Sequence, residues 1–536
     1  MKPTNPLVNP MLTDFYQLTM AYAYWKSGRH NDAAVFDLFF RKCPFKGEFA
    51  ICAGLEEVLK FVQNFKFSET DIEYLKTIMP GCDPKFFDWL SQIDCSEVKL
   101  YAVPEGTLVF PREPLIRVEG PLAICQLLET TLLNLVNFAS LMTTNAARFR
   151  LAAGDQATLL EFGLRRAQGP DGALSAAKYA IMGGFNGTSN VLAGKLFNVP
   201  VRGTHAHAFV QSFSRLDGLN SRDLKTSNGQ IVNFVNLVLK YRERLGWANT
   251  NDGELAAFIA YAQAFPQGFL ALVDTYDTLN SGVKNFLLVA LALHDCGYKA
   301  IGIRLDSGDL AYLSKKSREL FQTVANKYQI AYFFNLVIAA SNDITVTGLL
   351  SMNQQGHEIN TFGIGTHAST CKEQPAFGGV YKLVAICDLP RIKRSEDAGK
   401  ITLPGRKNAY RLYIGEGNIQ AYIDLLTMAD EEAPQADDRI LCQHPFDDTK
   451  RVVVTAKKVK ALHQLMWDGQ LTEAGRDELS HNLLDKRERV RDELKNLRPD
   501  HLRTANPSPY KVAVSPKLYG YLQKLLRQAT IVPEVK

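Results

Sequence analysis

A cluster of residues suited to chemistry lies near position 306, where an apolar strand pattern leads into Asp-Ser-Gly-Asp. Apolar residues alternate along 301–305 with the period of a strand, and leucines along 310–320 repeat with that of a helix. Asp306 and Asp309 therefore follow the carboxyl end of a strand, and Asp309 is placed to cap the helix. Carboxylates, a glycine and free amide groups in such a turn suit a phosphorylated sugar with its metal ion. For this stretch alone, an ordinary capped turn is the alternative.

A pair of arginines, Arg165 and Arg166, follows another candidate strand at 158–162. A guanidinium near a hydrophobic core needs an anionic partner, so the pair predicts binding of a phosphate or a carboxylate. An internal salt bridge would satisfy the same requirement. The glycine-rich segment 183–190 fits neither the Gly-x-Gly-x-x-Gly nor the Walker pattern, so it gives little support for a nucleotide-binding loop.

Two histidines, His205 and His207, follow the candidate strand at 200–204. No third histidine or cysteine has suitable nearby spacing, so the pair does not indicate a zinc site. A histidine at a strand end is often a hydrogen-bonded structural residue. Beside the arginine pair it can also act as an acid, a base or a nucleophile near neutral pH, and the spacing leaves both roles open.

Polar groups follow three more candidate strands, at 274–277, 340–343 and 362–370. The last group contains two glycines, Thr366 and further hydroxyl groups, which could form a backbone-amide cradle for a phosphate. Each group alone is equally well explained as a capped turn. Their repetition after successive strands indicates a shared site at the carboxyl ends of a parallel sheet.

The elements that would position these residues alternate between short apolar strands and helical patterns from about residue 155 to 385. This alternation predicts an α/β fold, and a parallel TIM-like barrel is favoured over a doubly wound sheet because polar residues follow nearly every strand. The flanking regions lack this rhythm. The expected organisation is an N-terminal α+β segment (1–150), an α/β barrel that carries the active site (151–390) and a C-terminal segment (391–536).

The composition is that of a soluble globular protein, with 46% hydrophobic and 22% charged residues among 536. The excess of 61 basic over 56 acidic residues is too small to predict binding to nucleic acid or to a membrane. Nine scattered cysteines without a Cys-x-x-Cys pair favour reduced thiols. The N-terminal residues lack a signal-peptide pattern, and the apolar run 286–293 is too short to span a bilayer, so the expected location is the cytoplasm (cytosol).

The motifs together resemble those of the nicotinate phosphoribosyltransferase family, in the same order along the chain. The segments that carry the resemblance are Thr13-Asp-Phe-Tyr-Gln-Leu-Thr-Met, Phe36-Asp-Leu-Phe-Phe-Arg-Lys, Phe162-Gly-Leu-Arg-Arg-Ala-Gln-Gly, Gly203-Thr-His-Ala-His, Ile303-Arg-Leu-Asp-Ser-Gly-Asp-Leu and Phe362-Gly-Ile-Gly-Thr. The resemblance implies an irregular α/β (TIM-like) barrel with a second α+β domain built from the N- and C-terminal segments. It also implies a homodimer.

The activity that this resemblance implies is transfer of the ribose 5-phosphate group of phosphoribosyl pyrophosphate to the ring nitrogen of nicotinate. The products are nicotinate mononucleotide and pyrophosphate, and the reaction is the first step of NAD synthesis from nicotinate. Family members couple the transfer to ATP hydrolysis through a phosphorylated histidine, which His207 matches. Mg2+ or Mn2+ is the implied cofactor, and ATP is the implied co-substrate of a ligase-type enzyme.

The implied contacts with nicotinate involve four residues. Arg304 matches the residue that binds the nicotinate carboxylate, and Thr204 lies beside it. Tyr16 matches an aromatic residue that reaches the ring from the neighbouring subunit, on the side opposite Phe162.

The implied contacts with phosphoribosyl pyrophosphate involve Arg165 and Thr366. Asp306 matches a position that contacts the ribose, and Asp309 matches a metal ligand. These residue types suit the chemistry, because a departing pyrophosphate gains charge that arginine and a divalent metal can stabilise.

Three other functions remain as alternatives. Nicotinamide phosphoribosyltransferase shares the strand-end features, but its neutral substrate requires no carboxylate contact. A signalling or scaffolding relative would be expected to have broken sites, whereas each expected position is filled here. An aldolase-type barrel enzyme needs a strand-end lysine, and Lys382 lies within a predicted strand.

Overall fold

The polypeptide divides into two units and crosses between them twice. The computed structural model describes residues 2–393, 398–417 and 419–528. The first unit consists of Met1–Asn145 and Glu373–Lys536, and the second of Ala146–Lys372. The domain boundaries expected at 150 and 390 stay predictions.

The N-terminal part of the first unit mixes helices with short strands. Its helices are α1 (Phe15–Lys26), α2 (Leu55–Gln63), α3 (Glu69–Ile78), α4 (Pro84–Gln92) and α5 (Leu122–Leu127), and α6 (Glu129–Ala153) continues into the second unit. Its strands are β1 (Ala33–Phe40), β2 (Ala50–Ile51), β3 (Lys99–Ala102), β4 (Leu108–Val109) and β5 (Ile116–Pro121). Helix α3 begins after Ser68, because Ser68 and Asp71 form a capping box that satisfies two free amides.

The second unit alternates strands and helices over most of its length. Its strands are β6 (Thr158–Glu161), β7 (Gly187–Thr188), β8 (Asp223–Lys225), β9 (Ile231–Asn233), β10 (Leu270–Leu272), β11 (Gly302–Leu305), β12 (Val337–Ala340) and β13 (Thr361–Ile364). Its helices are α7 (Gly169–Met182), α8 (Val191–Phe197), α9 (His207–Gln211), α10 (Phe234–Leu245), α11 (Asp252–Ala264), α12 (Val283–Asp295), α13 (Leu310–Tyr328), α14 (Val346–Gln355) and α15 (Thr366–Ser369). A π-helical turn covers Thr278–Gly282.

One six-stranded sheet, with the order β10-β11-β12-β13-β6-β7, organises this unit. All of its pairs are parallel. Leu305 pairs with Ala340, and Ile364 pairs with Glu161, so the turns after these strands lie at one edge. The α/β class with a parallel sheet is therefore confirmed. Among the described strands no ladder joins β7 to β10, and the sheet is not a closed barrel.

The C-terminal part of the first unit is mainly β structure. Its strands are β14 (Gly379–Ile386), β15 (Leu389–Pro390), β16 (Lys407–Ile414), β17 (Gln420–Met428), β18 (Arg439–Gln443), β19 (Arg451–Thr455), β20 (Lys458–Ala461), β21 (Gln464–Asp468) and β22 (Lys511–Val514). Its helices are α16 (Glu473–Ser480), α17 (Leu483–Lys495) and α18 (Pro516–Gln528). Two six-stranded sheets result, with the orders β15-β14-β1-β5-β3-β21 and β19-β18-β22-β17-β16-β20.

Strand β14 differs from its expected place. The sequence pattern assigned 379–385 to the α/β alternation, but β14 pairs antiparallel with β1 in the first unit. Lys382 faces Asp37 in this register and does not follow a strand of the parallel sheet. The structure therefore gives no support to an aldolase-type lysine.

The apolar run at 286–293 forms part of α12, and every one of its side chains is buried. Within the part of the chain that the structure describes, one helical stretch, Leu122–Ala153, is long and apolar enough to cross a membrane by length and composition. In its most apolar 18-residue window, 61% of the residues are buried inside the protein. A helix in the core of a globular protein has the same apolar composition and is buried in the same way.

Candidate active site

The turns after β10 and β11 bring together several of the predicted site residues of the second unit. Arg304, on β11, donates a hydrogen bond from Nη1 to Oγ1 of Thr204 at 3.0 Å. The Asp306 backbone amide donates to Oδ2 of Asp274 at 3.1 Å, and the Ser307 hydroxyl donates to the same oxygen. Ser341 Oγ, after β12, donates to Asp306 Oδ1 at 2.6 Å. Three strand ends are therefore joined by short polar contacts.

Arg304 has an unused donor in this arrangement. Its Nε is buried and makes no hydrogen bond within the part of the chain that the structure describes. Burial lowers the pKa of its guanidinium, and the positive charge of Arg165 lowers it further. The carboxylates of Asp306 and Asp274 raise this pKa and partly oppose the effect of burial. A partly buried guanidinium with a free donor is suited to a bound carboxylate or phosphate.

His207, the first residue of α9, lies against two carboxylates. Its Nε2 is 3.5 Å from Asp306 Oδ2 and 4.0 Å from Asp274 Oδ1. Its Nδ1 is 3.2 Å from Thr275 Oγ1, and 38% of the side chain is exposed. Both ring nitrogens therefore have polar neighbours that orient the imidazole, and the side chain still reaches solvent. This arrangement suits a group that reacts with a bound molecule.

His205 has a different environment. It is buried among the rings of Phe209, Phe258 and Tyr261, with the Tyr261 centroid at 4.8 Å. Its Nε2 accepts a long hydrogen bond of 3.4 Å from the Leu272 amide. Burial lowers the pKa of His205 to about 4, so the ring is neutral at pH 7. The two histidines that the sequence could not distinguish therefore differ in exposure and in charge.

Phe162 packs in the turn after β6 against the end of β13. Its amide donates to the carbonyl of Ile364 at 2.8 Å. A Cβ atom on Gly363 would lie 2.4 Å from ring carbons of Phe162, so only glycine permits this packing. Arg165 is exposed in the same turn. Thr366 is the first residue of α15 and follows the end of β13 closely. These residues share the strand-end edge with Arg304.

Asp309 caps the start of α13. Its Oδ1 accepts a hydrogen bond from the Tyr312 amide at 3.0 Å, which makes it the N-cap that the sequence predicts. Within the described ranges, no group of three or more His, Cys, Asp or Glu side chains is placed to hold a metal ion. The metal-binding role of Asp309 stays a prediction.

Tyr16 lies on α1 of the first unit, and 48% of its surface is exposed. Its backbone carbonyl accepts a hydrogen bond from the Thr19 hydroxyl at 3.0 Å. The expected contact of Tyr16 with a neighbouring subunit stays a prediction.

Glu254, on α11, belongs to a polar network that sequence reasoning missed. Its Oε2 accepts hydrogen bonds from Ser281 Oγ at 2.6 Å and from Asn285 Nδ2 at 2.9 Å. Burial raises the pKa of this carboxyl to about 7, and the charges of Asp277 and Asp274 add to the rise. The only sequence signal was an acidic residue inside the apolar helix pattern at 252–264.

Because the pKa of Glu254 is higher in the folded protein than the ordinary 4.5, its protonation stabilises the fold at low pH. That contribution is complete below about pH 4.5 and is lost as the pH rises towards 7, with a size on the order of 3 kcal/mol. We expect Glu254→Gln, which keeps the neutral form, to flatten the fall in melting temperature between pH 5 and 8. Thermal unfolding monitored by circular dichroism measures this change.

The matched control is Glu243→Gln, at an exposed position on helix α10 of the same unit. This variant should follow the wild-type pH dependence. Parallel curves for Glu254→Gln and the wild type would contradict the prediction.

Family models match most of the chain. The nicotinate phosphoribosyltransferase (NAPRTase) N-terminal domain matches residues 11–137, the NAPRTase family model matches residues 157–388, and the C-terminal domain matches residues 406–522. Together the three matches span both units.

Curated relatives and a solved structure are similar over nearly their full lengths. The nicotinate phosphoribosyltransferase of Dictyostelium discoideum is 52% identical and covers 100% of this chain and 91% of its own. Nicotinate phosphoribosyltransferase 2 of Arabidopsis thaliana is 50% identical, with coverage of 100% and 97%. The crystal structure of human nicotinic acid phosphoribosyltransferase superposes with a TM-score of 0.85 and 42% identity, over 96% of this chain and 99% of the human one.

Proposed function

Because the chain belongs to the nicotinate phosphoribosyltransferase family, we propose that it transfers ribose 5-phosphate from phosphoribosyl pyrophosphate to the ring nitrogen of nicotinate. The observation that carries the proposal within the site is Arg304, whose buried Nε has no hydrogen-bond acceptor among the described residues. A carboxylate bound there would accept this hydrogen bond and offset the cost of burying the guanidinium. Nicotinamide has no such charge, so this environment favours nicotinate.

The transfer itself requires few proton movements. The lone pair of the nicotinate nitrogen forms a bond to C1′ of the ribose as the bond from C1′ to the pyrophosphate oxygen breaks. Pyrophosphate departs with the electron pair. The attacking nitrogen carries no proton, so it needs no general base. The chain must therefore align the two substrates and stabilise the growing charge of the leaving group.

Within this mechanism, Arg165 and Thr366 hold the phosphates, and Asp306 contacts the ribose. Phe162 supplies one face for the nicotinate ring, and Thr204 orients Arg304 through their 3.0 Å hydrogen bond.

A divalent cation fits the same edge. Oδ1 of Asp274 is buried without a hydrogen-bond donor in the described part of the chain, and Asp306 lies beside it. Mg2+ or Mn2+ commonly takes one or two carboxylates and completes its shell with water and substrate phosphates, so these residues, with Asp309, would hold it. When bound, the metal supplies charge stabilisation for pyrophosphate.

ATP coupling proceeds in this proposal through His207. The carboxylates near Nε2 favour a proton on that nitrogen, which leaves the Nδ1 lone pair available to attack the γ-phosphorus of ATP. The new N–P bond forms as the bond to the ADP oxygen breaks. Water later cleaves the N–P bond, releases inorganic phosphate and restores the imidazole.

The remaining parts of the proposal concern assembly and location. The protein acts in the cytosol as a homodimer, with Tyr16 of one protomer facing the ring site of the other. We propose that the second unit is an irregular, incompletely closed barrel. The segment 201–205 supports this description. Val201 forms an isolated parallel bridge with Thr188 of β7, and the His205 side chain accepts a hydrogen bond from the Leu272 amide of β10.

The direct test measures nicotinate mononucleotide formed from nicotinate and phosphoribosyl pyrophosphate with Mg2+, with and without ATP. Nicotinamide serves as the parallel substrate. Product from nicotinate that increases with ATP would support the proposal. Product from nicotinamide alone would reject it in favour of the related enzyme, and product from neither would favour a scaffolding role.

We expect His207→Ala to abolish the stimulation by ATP and the transfer of label from γ-labelled ATP to the protein, because its imidazole is the phosphoryl acceptor. Formation of product without ATP should persist, since His207 does not take part in that displacement. His205→Gln is the matched control and should retain labelling. Unchanged stimulation in His207→Ala, or label mapped to His205, would contradict the assignment.

A further inference from the structure

A second candidate binding site lies within the first unit. A cavity of about 740 Å³ opens between the turn after β4, strands β17 to β19 and strand β22. Its volume is within the range of sites for small organic molecules. None of the residues assigned to the proposed reaction lines it.

Positive side chains dominate the polar part of this cavity. Arg41, Arg112 and Arg451 line it, and none of them forms an ion pair with a carboxylate in the described part of the chain. Lys511 also lines the cavity, and its Nζ donates to the hydroxyl of Tyr422 at 3.3 Å. Glu48 is the sole acidic side chain among the described residues of the lining. A cavity with uncompensated guanidinium groups of this kind favours an anion.

Arg112 is held in position without being neutralised. Its backbone has φ of 75°, a conformation uncommon for a residue other than glycine, and its amide donates to the Phe40 carbonyl at 2.8 Å. Its guanidinium lies 4.6 Å from the centre of the Phe446 ring. Burial lowers the pKa of Arg112, and the positive charge of Arg41 adds a smaller contribution in the same direction. The neighbouring Glu113 does not offset this charge, because burial and the charge of Asp424 raise the pKa of its carboxyl well above the ordinary value.

The rest of the lining is largely apolar and aromatic. The rings of Phe110 and Tyr510 stack with centroids 3.6 Å apart and an angle of 12°. The aliphatic side chains that complete this part are Leu403, Ile423, Leu426, Val452 and Val514. A ligand that fills the cavity therefore combines an anionic group with a flat apolar group.

We propose that this cavity binds a nucleoside phosphate, with its phosphate on Arg112, Arg451 and Arg41 and its base against the aromatic and aliphatic wall. Phosphate oxygens match the guanidinium donors, and a base offers a planar surface to the ring of Tyr510. The site is separate from the proposed reaction, so its occupancy would not require nicotinate or phosphoribosyl pyrophosphate.

The test is calorimetric titration of the full chain with AMP, ribose 5-phosphate and inorganic phosphate. AMP should bind at least about tenfold more tightly than the other two, because only AMP contacts the apolar wall. The variant Arg112→Gln/Arg451→Gln should weaken AMP binding by about 100-fold, since it removes two charge-assisted contacts. Lys458→Gln, on exposed β20 of the same unit, is the control for a lost charge and should bind AMP normally.

Activity separates this site from the site of the proposed reaction. Arg112→Gln/Arg451→Gln should form product from nicotinate at the wild-type rate, and His207→Ala should bind AMP as the wild type does. If the double variant fails to fold, Arg451→Gln alone, at an exposed strand position, should weaken AMP binding by about tenfold. Unchanged AMP affinity in these variants, equal affinity for inorganic phosphate, or no AMP binding to the wild type would each overturn the proposal.

Discussion

Replacement of Arg304 by methionine is expected to lower kcat/KM for nicotinate by about 100- to 1,000-fold, because a buried charge-assisted contact with the substrate carboxylate is lost. Methionine retains much of the side-chain volume, so packing around β11 is disturbed less than by alanine. Steady-state formation of nicotinate mononucleotide, at saturating phosphoribosyl pyrophosphate, measures the change.

The comparison with nicotinamide separates recognition from a structural effect. Arg304→Met should leave the weak rate with nicotinamide nearly unchanged, since that substrate has no carboxylate. Arg304→Lys keeps the charge but loses the planar fork, so it should retain an intermediate rate with nicotinate. Thr204→Val removes the hydrogen-bond acceptor of Nη1 and serves as the control for orientation. Equal losses with both substrates would show that Arg304 only supports the turn.

Local patterns predict much of the site because the functional residues follow strands in sequence. The period of two along 301–305 and the helical period after 310 place Asp306 and Asp309 in one turn, and the structure agrees. The same reasoning predicts that residues after β10, β11 and β12 meet, as Asp274, Asp306 and Ser341 do. Parallel strands align their carboxyl ends, so one correct topology predicts several contacts.

Pairing between distant strands is harder to predict. Strand β14 has the apolar composition of a sheet strand, and only its partner β1, more than 300 residues away, decides which sheet it joins. The unclosed edge of the parallel sheet is a further long-range property. No local sequence period indicates how the two edge strands, β7 and β10, are placed relative to each other.

The histidine pair illustrates the same limit at the level of single side chains. His205 and His207 have one side-chain type and are separated by one residue, but His205 packs against Phe258 and Tyr261 from helix α11. Its low pKa, about 4, follows from that burial. The distinction therefore depends on a helix more than 50 residues away, and sequence spacing alone could not establish it.

A second large effect concerns stability rather than catalysis. Arg411, on β16, is buried and is paired across the sheet with Asp424 of β17. Its Nη2 donates to Asp424 at 2.7 Å and its Nη1 to Glu493 at 2.8 Å. The Tyr510 hydroxyl donates to the same aspartate at 2.8 Å. The guanidinium is thus the cation shared by two carboxylates in the interior of the first unit.

We expect Arg411→Met to lower the free energy of unfolding by about 3–5 kcal/mol, because it leaves the buried carboxylate of Asp424 without a cation, whereas Glu493 keeps Lys460 at 2.7 Å. For a unit of this size the corresponding fall in melting temperature is about 5–8 °C, which scanning calorimetry can measure. Lys99, which pairs with Asp468 on the surface, gives the matched control: Lys99→Met should shift the melting temperature little. Combining Arg411→Met with Asp424→Asn should cost less than the sum of the two single changes, since both act on one pair. Additive losses would mean that Arg411 contributes through packing alone, and would remove the ion pair from the explanation.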